Sequence, residues 1–155
     1  MEYFRERQID YKCGMVMGEW FKNEHDPDIF ATLTLKQAIP GPNGCLIYGT
    51  EKIYRDEARK LVRDLSIKLK GKTSFKRTKE LIPCLSTLEG TRQGARMHIH
   101  MCFKMPSNQT FQKTQETLDF LWRKSLWSRD KTDIDIIYGD AVKYILKNGF
   151  SAVLI

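Results

Sequence analysis

Apolar and polar residues alternate along two stretches of the chain, 29–36 and 96–104. In the first stretch one face carries Ile29, Ala31, Leu33 and Leu35. In the second, one face carries Met97, Ile99, Met101 and Phe103, and the other carries His98, His100, Cys102 and Lys104. Because successive side chains of a strand point to opposite faces, this pattern predicts two half-buried β-strands.

Two longer stretches show the spacing of helices. Along 51–70, apolar residues recur at steps of three and four, which predicts an amphipathic helix with a polar opposite face. A second helix is predicted over 108–127, with Ser107 or Asn108 as its N-cap. A short third helix over 141–147 is predicted to begin at the capping residue Asp140 and to end before Asn148 and Gly149.

The order of the predicted elements indicates a fold class. Further strands are expected over 81–89 and 134–138, and a Pro/Gly loop over 40–44. The order β-α-β-β-α-β, followed by a helix, predicts an α+β fold. We expect a ferredoxin-like or RRM-like antiparallel sheet of four to five strands, with two helices on one face. His98 and His100 then lie on the face that these helices leave uncovered.

Length and composition exclude several classes of function. The chain has 155 residues, so we expect 1–155 to form one domain. It lacks the G-x-x-x-x-G-K-[ST] phosphate loop of an ATPase and any apolar run long enough to cross a membrane. Four cysteines are scattered without a CxxC pair, which favours free thiols in a reducing compartment. We therefore expect a cytoplasmic protein that binds no membrane.

Positive charge is concentrated in one segment. The net charge is +7, and residues 52–79 hold eleven Lys and Arg against three acids, a local charge of +8. The rest of the chain therefore sums to −1. Such a basic surface is typical of a nucleic-acid-binding protein, because neutralised phosphates release counterions. A solvated helix face is the alternative interpretation.

The pair His98-Ile-His100 predicts a metal site. Residues i and i+2 of a strand share a face and lie about 6.5–7 Å apart, so both imidazoles can converge on one ion. A carboxylate would complete the site, and Glu89 is the candidate if the preceding strand pairs in register with His98. A slip of one residue would turn Glu89 to the opposite face.

Tyr144 and Lys147 form a second pair, three residues apart on the last predicted helix. Residues at i and i+3 are neighbours on a helix surface, so the phenol and the ammonium are expected to be close. A nearby ammonium favours a phenolate or a pentavalent phosphate. Half-buried packing is the alternative role for such a tyrosine.

Taken together, these motifs resemble a known family. Thr32-Leu-Thr-Leu-Lys36, His98-Ile-His100 and Tyr144-x-x-Lys147 occur in the order of the three motifs of HUH endonucleases. The similarity is greatest to single-tyrosine rolling-circle replication initiators of plasmids and viruses. In that family an acidic residue about nine positions before the first His completes the metal site, and Glu89 stands nine positions before His98. The resemblance spans about residues 29–149 and implies a single nuclease domain without a helicase domain.

The resemblance also implies a mechanism and partners. Mg²⁺ or Mn²⁺ on Glu89, His98 and His100 would act with Tyr144, which forms a 5′-phosphotyrosine at a nicked origin. Implied partners are single-stranded DNA, an origin hairpin, a host or viral helicase and polymerase, and a second copy of the chain in a homodimer. The expected DNA contacts are Phe30, Thr32, Thr34, Lys36, Arg92, Arg96 and Lys104, with the basic helix against duplex DNA.

Three other functions fit parts of the pattern. A transposase of the same superfamily would use the same motifs. A non-catalytic RRM-like nucleic-acid-binding module would share the order of elements and the charge, but aromatic residues would occupy the centre of its sheet. A non-haem iron oxygenase also uses two His and a carboxylate, although such sites usually lie in all-β folds.

Overall fold

Six strands and five α-helices make up the fold of this computed structural model, which describes residues 2–90, 95–149, 153 and 155, apart from the side chains of Glu2, Asp130 and Lys131. In chain order they are α1 (Glu2–His25), β1 (Ile29–Leu35), β2 (Ala38–Pro40), β3 (Leu46–Tyr48), α2 (Glu51–Lys70), α3 (Lys72–Thr78), β4 (Cys84–Glu89), β5 (His98–Phe103), α4 (Phe111–Arg123), β6 (Ser128–Ile136) and α5 (Ala141–Ile145). The fold is therefore α+β, as the pattern predicts.

Four of the strands form an antiparallel sheet in the order β4-β5-β1-β6. Val153 forms a single antiparallel bridge with Thr87 on β4. The strands β2 and β3 form a separate two-stranded sheet on either side of the predicted Pro/Gly loop, in which Pro42–Gly44 form a short 3-10 helix. The two central strands, β1 and β5, are the two whose alternation was clearest in the sequence.

One face of the main sheet carries the larger core. Ile29, Ala31, Leu33 and Leu35 of β1 are buried, whereas Phe30, Thr32 and Thr34 on its other face are only partly buried. The helices α2 and α4 cover this face, as predicted. Their buried side chains in this core are Tyr54, Ala58, Leu61, Val62, Leu65, Leu69, Leu118, Leu121 and Trp122.

The ends of α2 follow from local chemistry. The Thr50 hydroxyl accepts a hydrogen bond from the backbone N–H of Ile53 at 3.3 Å, and so caps the start of the helix. Gly71 follows the last turn with φ of +87°, a conformation that costs a side-chain-bearing residue energy. The helix therefore has the predicted bounds, 51–70.

The opposite face of the sheet is only partly open, which corrects the expectation that it is uncovered. A second cluster of buried side chains lies there, formed by Phe21, Leu85, Cys102, Val142, Ile145 and Leu146. These residues come from α1, β4, β5 and the segment of α5. The 24-residue helix α1 was not predicted at all. It packs against α5 and so helps to hold the helix that carries Tyr144.

Several predicted boundaries were wrong. α4 begins at Phe111, because the Thr110 hydroxyl caps it by accepting from the Lys113 N–H at 3.2 Å, while Ser107 and Asn108 lie in a turn. β4 begins only at Cys84, α4 ends at Arg123, and α5 ends at Ile145. β6 begins at Ser128, six residues early, because its polar residues pair with β1 along the edge of the sheet. Residues 91–94, between β4 and β5, lie outside the described residues.

None of the helices in the described part of the chain combines the length and the hydropathy needed to cross a membrane.

Candidate active site

The register of two neighbouring strands brings the three predicted metal ligands together. β4 and β5 are antiparallel, and Glu89 pairs directly with His98. Directly paired residues project to the same face, so Glu89 lies beside both imidazoles. Gly90 permits this close pairing: its φ is +87°, and a Cβ there would lie 2.0 Å from the carbonyl oxygen of Arg96.

The ligand atoms of these residues converge. His100 Nε2 lies 2.7 Å from Glu89 Oε2, His98 Nε2 lies 3.4 Å from the same oxygen, and the two Nε2 atoms are 3.1 Å apart. Ligands bound at about 2.1 Å from one ion lie roughly 3.0–3.4 Å from one another in octahedral or tetrahedral geometry. The three atoms therefore have the spacing of three adjacent metal ligands, and within the described residues they form the one such group of His, Cys, Asp and Glu side chains.

Each imidazole is oriented by a hydrogen bond at its other nitrogen. His98 Nδ1 lies 3.0 Å from the backbone carbonyl oxygen of Arg96, which can only accept, so this nitrogen carries the proton. A neutral His98 then presents the lone pair of Nε2 to the ligand cluster. His100 Nδ1 lies 3.1 Å from the Thr32 hydroxyl, its neighbour on β1. Such outer hydrogen bonds fix the ring orientation of metal-binding histidines.

Electrostatics favour the protonation states that a cation needs. Burial raises the pKa of Glu89, but hydrogen bonds and charges from Lys147 and His100 outweigh it and lower that pKa overall. Burial is also the largest influence on His100 and lowers its pKa, despite the opposing effect of Glu89. The site therefore presents a carboxylate and a neutral imidazole, the forms that bind a metal ion. An oxygen and two imidazole nitrogens suit Mn²⁺, Fe²⁺ or Zn²⁺, and Mg²⁺ if water and phosphate oxygens complete its shell.

Tyr144 lies beside this cluster on α5. The helix begins where the Asp140 carboxylate accepts a hydrogen bond from the Lys143 N–H, as predicted. The Tyr144 side chain is half exposed, at 50%, and its ring centroid is 5.6 Å from that of His100. The phenol is thus accessible to a large ligand and adjacent to the metal ligands.

Lys147 contacts both groups. Its Nζ lies 2.6 Å from Glu89 Oε1 and 4.0 Å from the centroid of the Tyr144 ring. Burial lowers the pKa of Lys147, but hydrogen bonds to Glu89 and Tyr144 raise it by more than burial lowers it. The pKa therefore lies above its ordinary value, and the side chain stays an ammonium. The structure therefore brings together all five predicted residues of the metal and nucleophile sites.

The residues expected to contact DNA are distributed more widely. Phe30 stacks on the His100 ring at 5.3 Å and lines a groove beside Tyr144. Thr34 pairs with His98 on the same face, and Thr32 holds His100 as described above. Lys104 forms ion pairs with Asp26 and Asp28, which largely neutralise its charge. Arg92 lies outside the described residues.

Lys36 and Arg96 share a cleft with a residue that the sequence had not suggested, Arg129. The cleft has a volume of about 340 Å³ and lies where β1 ends and β5 and β6 begin. Arg129 stands in a polar run that did not read as a strand. Only the alternation of side chains along a polar edge strand could have placed Arg129 on this side of the sheet, and that required recognising the run as a strand.

The basic residues of α2 do not border the candidate active site. α2 packs on the face of the sheet opposite to His98 and His100, so its basic residues lie behind the sheet. Two of them form ion pairs within the helix, Lys52 with Asp56 and Arg55 with Glu51. Duplex DNA bound there would lie on the far side of the molecule from Tyr144.

Comparison of the chain with protein-family models, with curated proteins and with solved structures found no match.

Proposed function

We propose that this chain is a metal-dependent endonuclease that nicks single-stranded DNA and retains one cut end on Tyr144. The three motifs that resemble those of HUH endonucleases support this function. The strand order β4-β5-β1-β6, with α2 and α4 on one face, also supports the ferredoxin-like arrangement that we assign to the main sheet. The proposal is a single nuclease domain that initiates rolling-circle replication.

One observation carries the proposal. An exposed tyrosine ring lies 5.6 Å from the ring of an imidazole whose Nε2 is 2.7 Å from a carboxylate oxygen. These side chains come from three elements, β4, β5 and α5, that are distant in sequence. A purely structural histidine would not need a second imidazole and a carboxylate at ligand spacing next to an exposed phenol.

Glu89, His98 and His100 would hold the cation. Mg²⁺ or Mn²⁺ bound there would supply positive charge to a non-bridging oxygen of the scissile phosphate. Neighbouring residues hold these ligands in the orientation and charge state that bind a cation. The Thr32 hydroxyl and the Arg96 carbonyl orient the two imidazole rings, and Lys147 keeps Glu89 ionised.

Tyr144 is the nucleophile. Its phenol oxygen loses a proton and forms a bond to phosphorus, while the bond from phosphorus to the 3′-oxygen of the preceding nucleotide breaks. That oxygen gains a proton and becomes a free 3′-hydroxyl, and the following strand stays attached as a 5′-phosphotyrosine. The bond energy of the phosphodiester is retained, so the reverse reaction joins strands.

Lys147 stabilises negative charge during this exchange. Its ammonium lies against the Tyr144 ring and against Glu89, where charge develops on the phenol oxygen and on the phosphate. The free 3′-hydroxyl would prime a polymerase, and strand separation would come from a separate helicase. One tyrosine in the motif implies a second subunit, and hence a homodimer, for a second cleavage.

Adduct formation tests the proposal. The protein is incubated with single-stranded oligonucleotides labelled at the 3′ end, in Mn²⁺ or in EDTA, and resolved in SDS. We expect a labelled, SDS-resistant protein–DNA adduct that requires Mn²⁺ and is lost in Tyr144→Phe. Tyr48→Phe is the control, because Tyr48 is an exposed tyrosine of β3 that does not line the groove beside Tyr144. An adduct that survives in Tyr144→Phe would refute the assignment of the nucleophile.

A further inference from the structure

A groove extends from the candidate active site, with which it shares Thr32, His100 and Tyr144. It has a volume of about 720 Å³ and lies between β1, β6 and α5. Phe30, Thr32, His100, Asp135, Tyr138 and Tyr144 are among the side chains that line it. The volume is in the range of sites that bind small organic molecules, and a single nucleotide fits in it. A ligand in this groove would contact both Tyr144 and the ring of Phe30, which stacks on the candidate metal ligand His100.

The groove offers a stacking surface next to a hydrogen-bond acceptor. Phe30 and Asp135 are directly paired across β1 and β6, so their side chains project from the same face as neighbours. The Phe30 ring is nearly parallel to that of His100, at an interplanar angle of 23°. An aromatic ring with a carboxylate at its side suits a flat ligand that stacks on the ring and donates hydrogen bonds at its edge.

Asp135 is free to accept those bonds. Two carboxylates line the groove, and the other, Asp140, caps α5 and pairs with Lys22. Asp135 is exposed and makes no hydrogen bond or ion pair with any residue that the structure describes. A phosphate would be repelled by this carboxylate, whereas a base edge that carries N–H groups would be attracted. A base edge therefore suits this groove better than the DNA backbone does.

We infer that the groove binds a guanine base adjacent to the scissile phosphate, and that Asp135 selects it. Guanine presents two neighbouring donors on its Watson–Crick edge, N1–H and the N2 amine, which match the two oxygens of a carboxylate. Adenine and cytosine present one exocyclic amine there, and thymine presents one N–H between two carbonyls. The inference rests on the proposed function and adds to it the identity of one nucleotide of the substrate.

Selection of DNA by the uncleaving protein tests this inference. The Tyr144→Phe protein is used to enrich a pool of randomised single-stranded oligonucleotides, in Mn²⁺. We expect one position of the enriched sequences to be guanine. Replacing that guanine with inosine, which lacks the N2 amine, or with thymine should weaken binding, by about 10-fold or more for thymine. Asp135→Asn in the same background should remove the preference, because an amide cannot accept both bonds.

Asp133→Asn is the matched control, since Asp133 projects from the same face of β6 but does not line the groove. It should keep the guanine preference. Selected sequences without a fixed guanine, or a preference that persists in Asp135→Asn, would overturn the inference. Adduct formation by the unmutated protein on the selected sequence separates the two hypotheses. If adducts form without the preference, the inference alone is wrong; if the protein binds no single-stranded DNA, both are wrong.

Discussion

Lys147 Nζ lies 2.6 Å from Glu89 Oε1, while the other oxygen of the same carboxylate faces both imidazoles. One carboxylate therefore connects the helix of the candidate nucleophile to the candidate metal site. Lys147 keeps Glu89 ionised, but it also places a positive charge near the position that a cation would occupy. These two effects have opposite consequences for metal binding and for chemistry, and a substitution can separate them.

Lys147→Met removes the charge and keeps most of the aliphatic chain. We expect adduct formation to slow by about 10- to 100-fold, because charge that develops on the phenol oxygen and the phosphate loses a stabilising ammonium. Mn²⁺ should bind at least as tightly as before, because a neighbouring like charge is gone. Single-turnover cleavage and Mn²⁺ titration measure the two quantities. Lys143→Met, on α5 just before Lys147, should change neither; a variant of Lys147 that loses metal binding and cleavage in parallel would contradict this role.

Thr32→Val tests the outer hydrogen bond of the metal site. Valine has the shape of threonine but cannot bond to His100 Nδ1, so the ring is held less firmly. We expect Mn²⁺ affinity to fall by about 10- to 100-fold. Thr34→Val is the control, since Thr34 faces the same side and pairs with His98. Equal affinities in the two variants would show that Thr32 does not orient the ligand.

Acid should lower the free energy of unfolding of the metal-free protein. Burial holds the pKa of His100 below its ordinary value of 6.5, so between the folded and unfolded pKa values the unfolded chain binds more protons. The free energy of unfolding should therefore fall as the pH drops below about 6.5. Glu89, whose folded pKa is also lowered, adds a loss in the same direction below about pH 4.5.

Urea denaturation in EDTA at a series of pH values measures this dependence. His100→Asn should reduce the slope of the free energy of unfolding against pH between about pH 6.5 and 5, where only histidines titrate. Stability that rises on acidification in this window would contradict the neutral state assigned to His100.

Gly18 is expected to position α5. A Cβ at Gly18 would lie 2.5 Å from Cδ1 of Leu146, a fully buried residue that directly follows α5. Gly18→Val should therefore lower the free energy of unfolding by about 1–3 kcal/mol and reduce adduct formation by displacing Tyr144. Glu19→Val adds the same side chain at the exposed neighbouring position and serves as the control. Chemical denaturation of both variants decides the question, and equal stabilities would show that α1 does not constrain α5.

Elements with one dominant pattern were predictable from the sequence. β1 and α2 have the predicted bounds to within one residue, because each has a single buried face and a clear period. α1 was missed because its apolar residues do not lie on one stripe: Ile9, Val16 and Trp20 are exposed, while Phe21 is buried. β6 was cut short because an edge strand with a polar face carries little apolar alternation.

Part of the candidate site could likewise be predicted from the sequence. The strand period alone placed His98 and His100 on one face, and the helix period placed Lys147 near Tyr144. These periods gave no sign of the Phe30–Asp135 pair, because Asp135 belongs to a strand whose extent was not recognised.

By itself, the order of residues determined which side chains share a face of their own strand or helix, since that depends only on local backbone geometry. Tertiary structure decided which faces meet. A slip of one residue between β4 and β5 would have turned Glu89 away from His98, and only pairing across the hairpin, with the close approach at Gly90, excludes that slip. The packing of α1 on α5 likewise sets the distance between Tyr144 and His100, because no local preference of either segment specifies it.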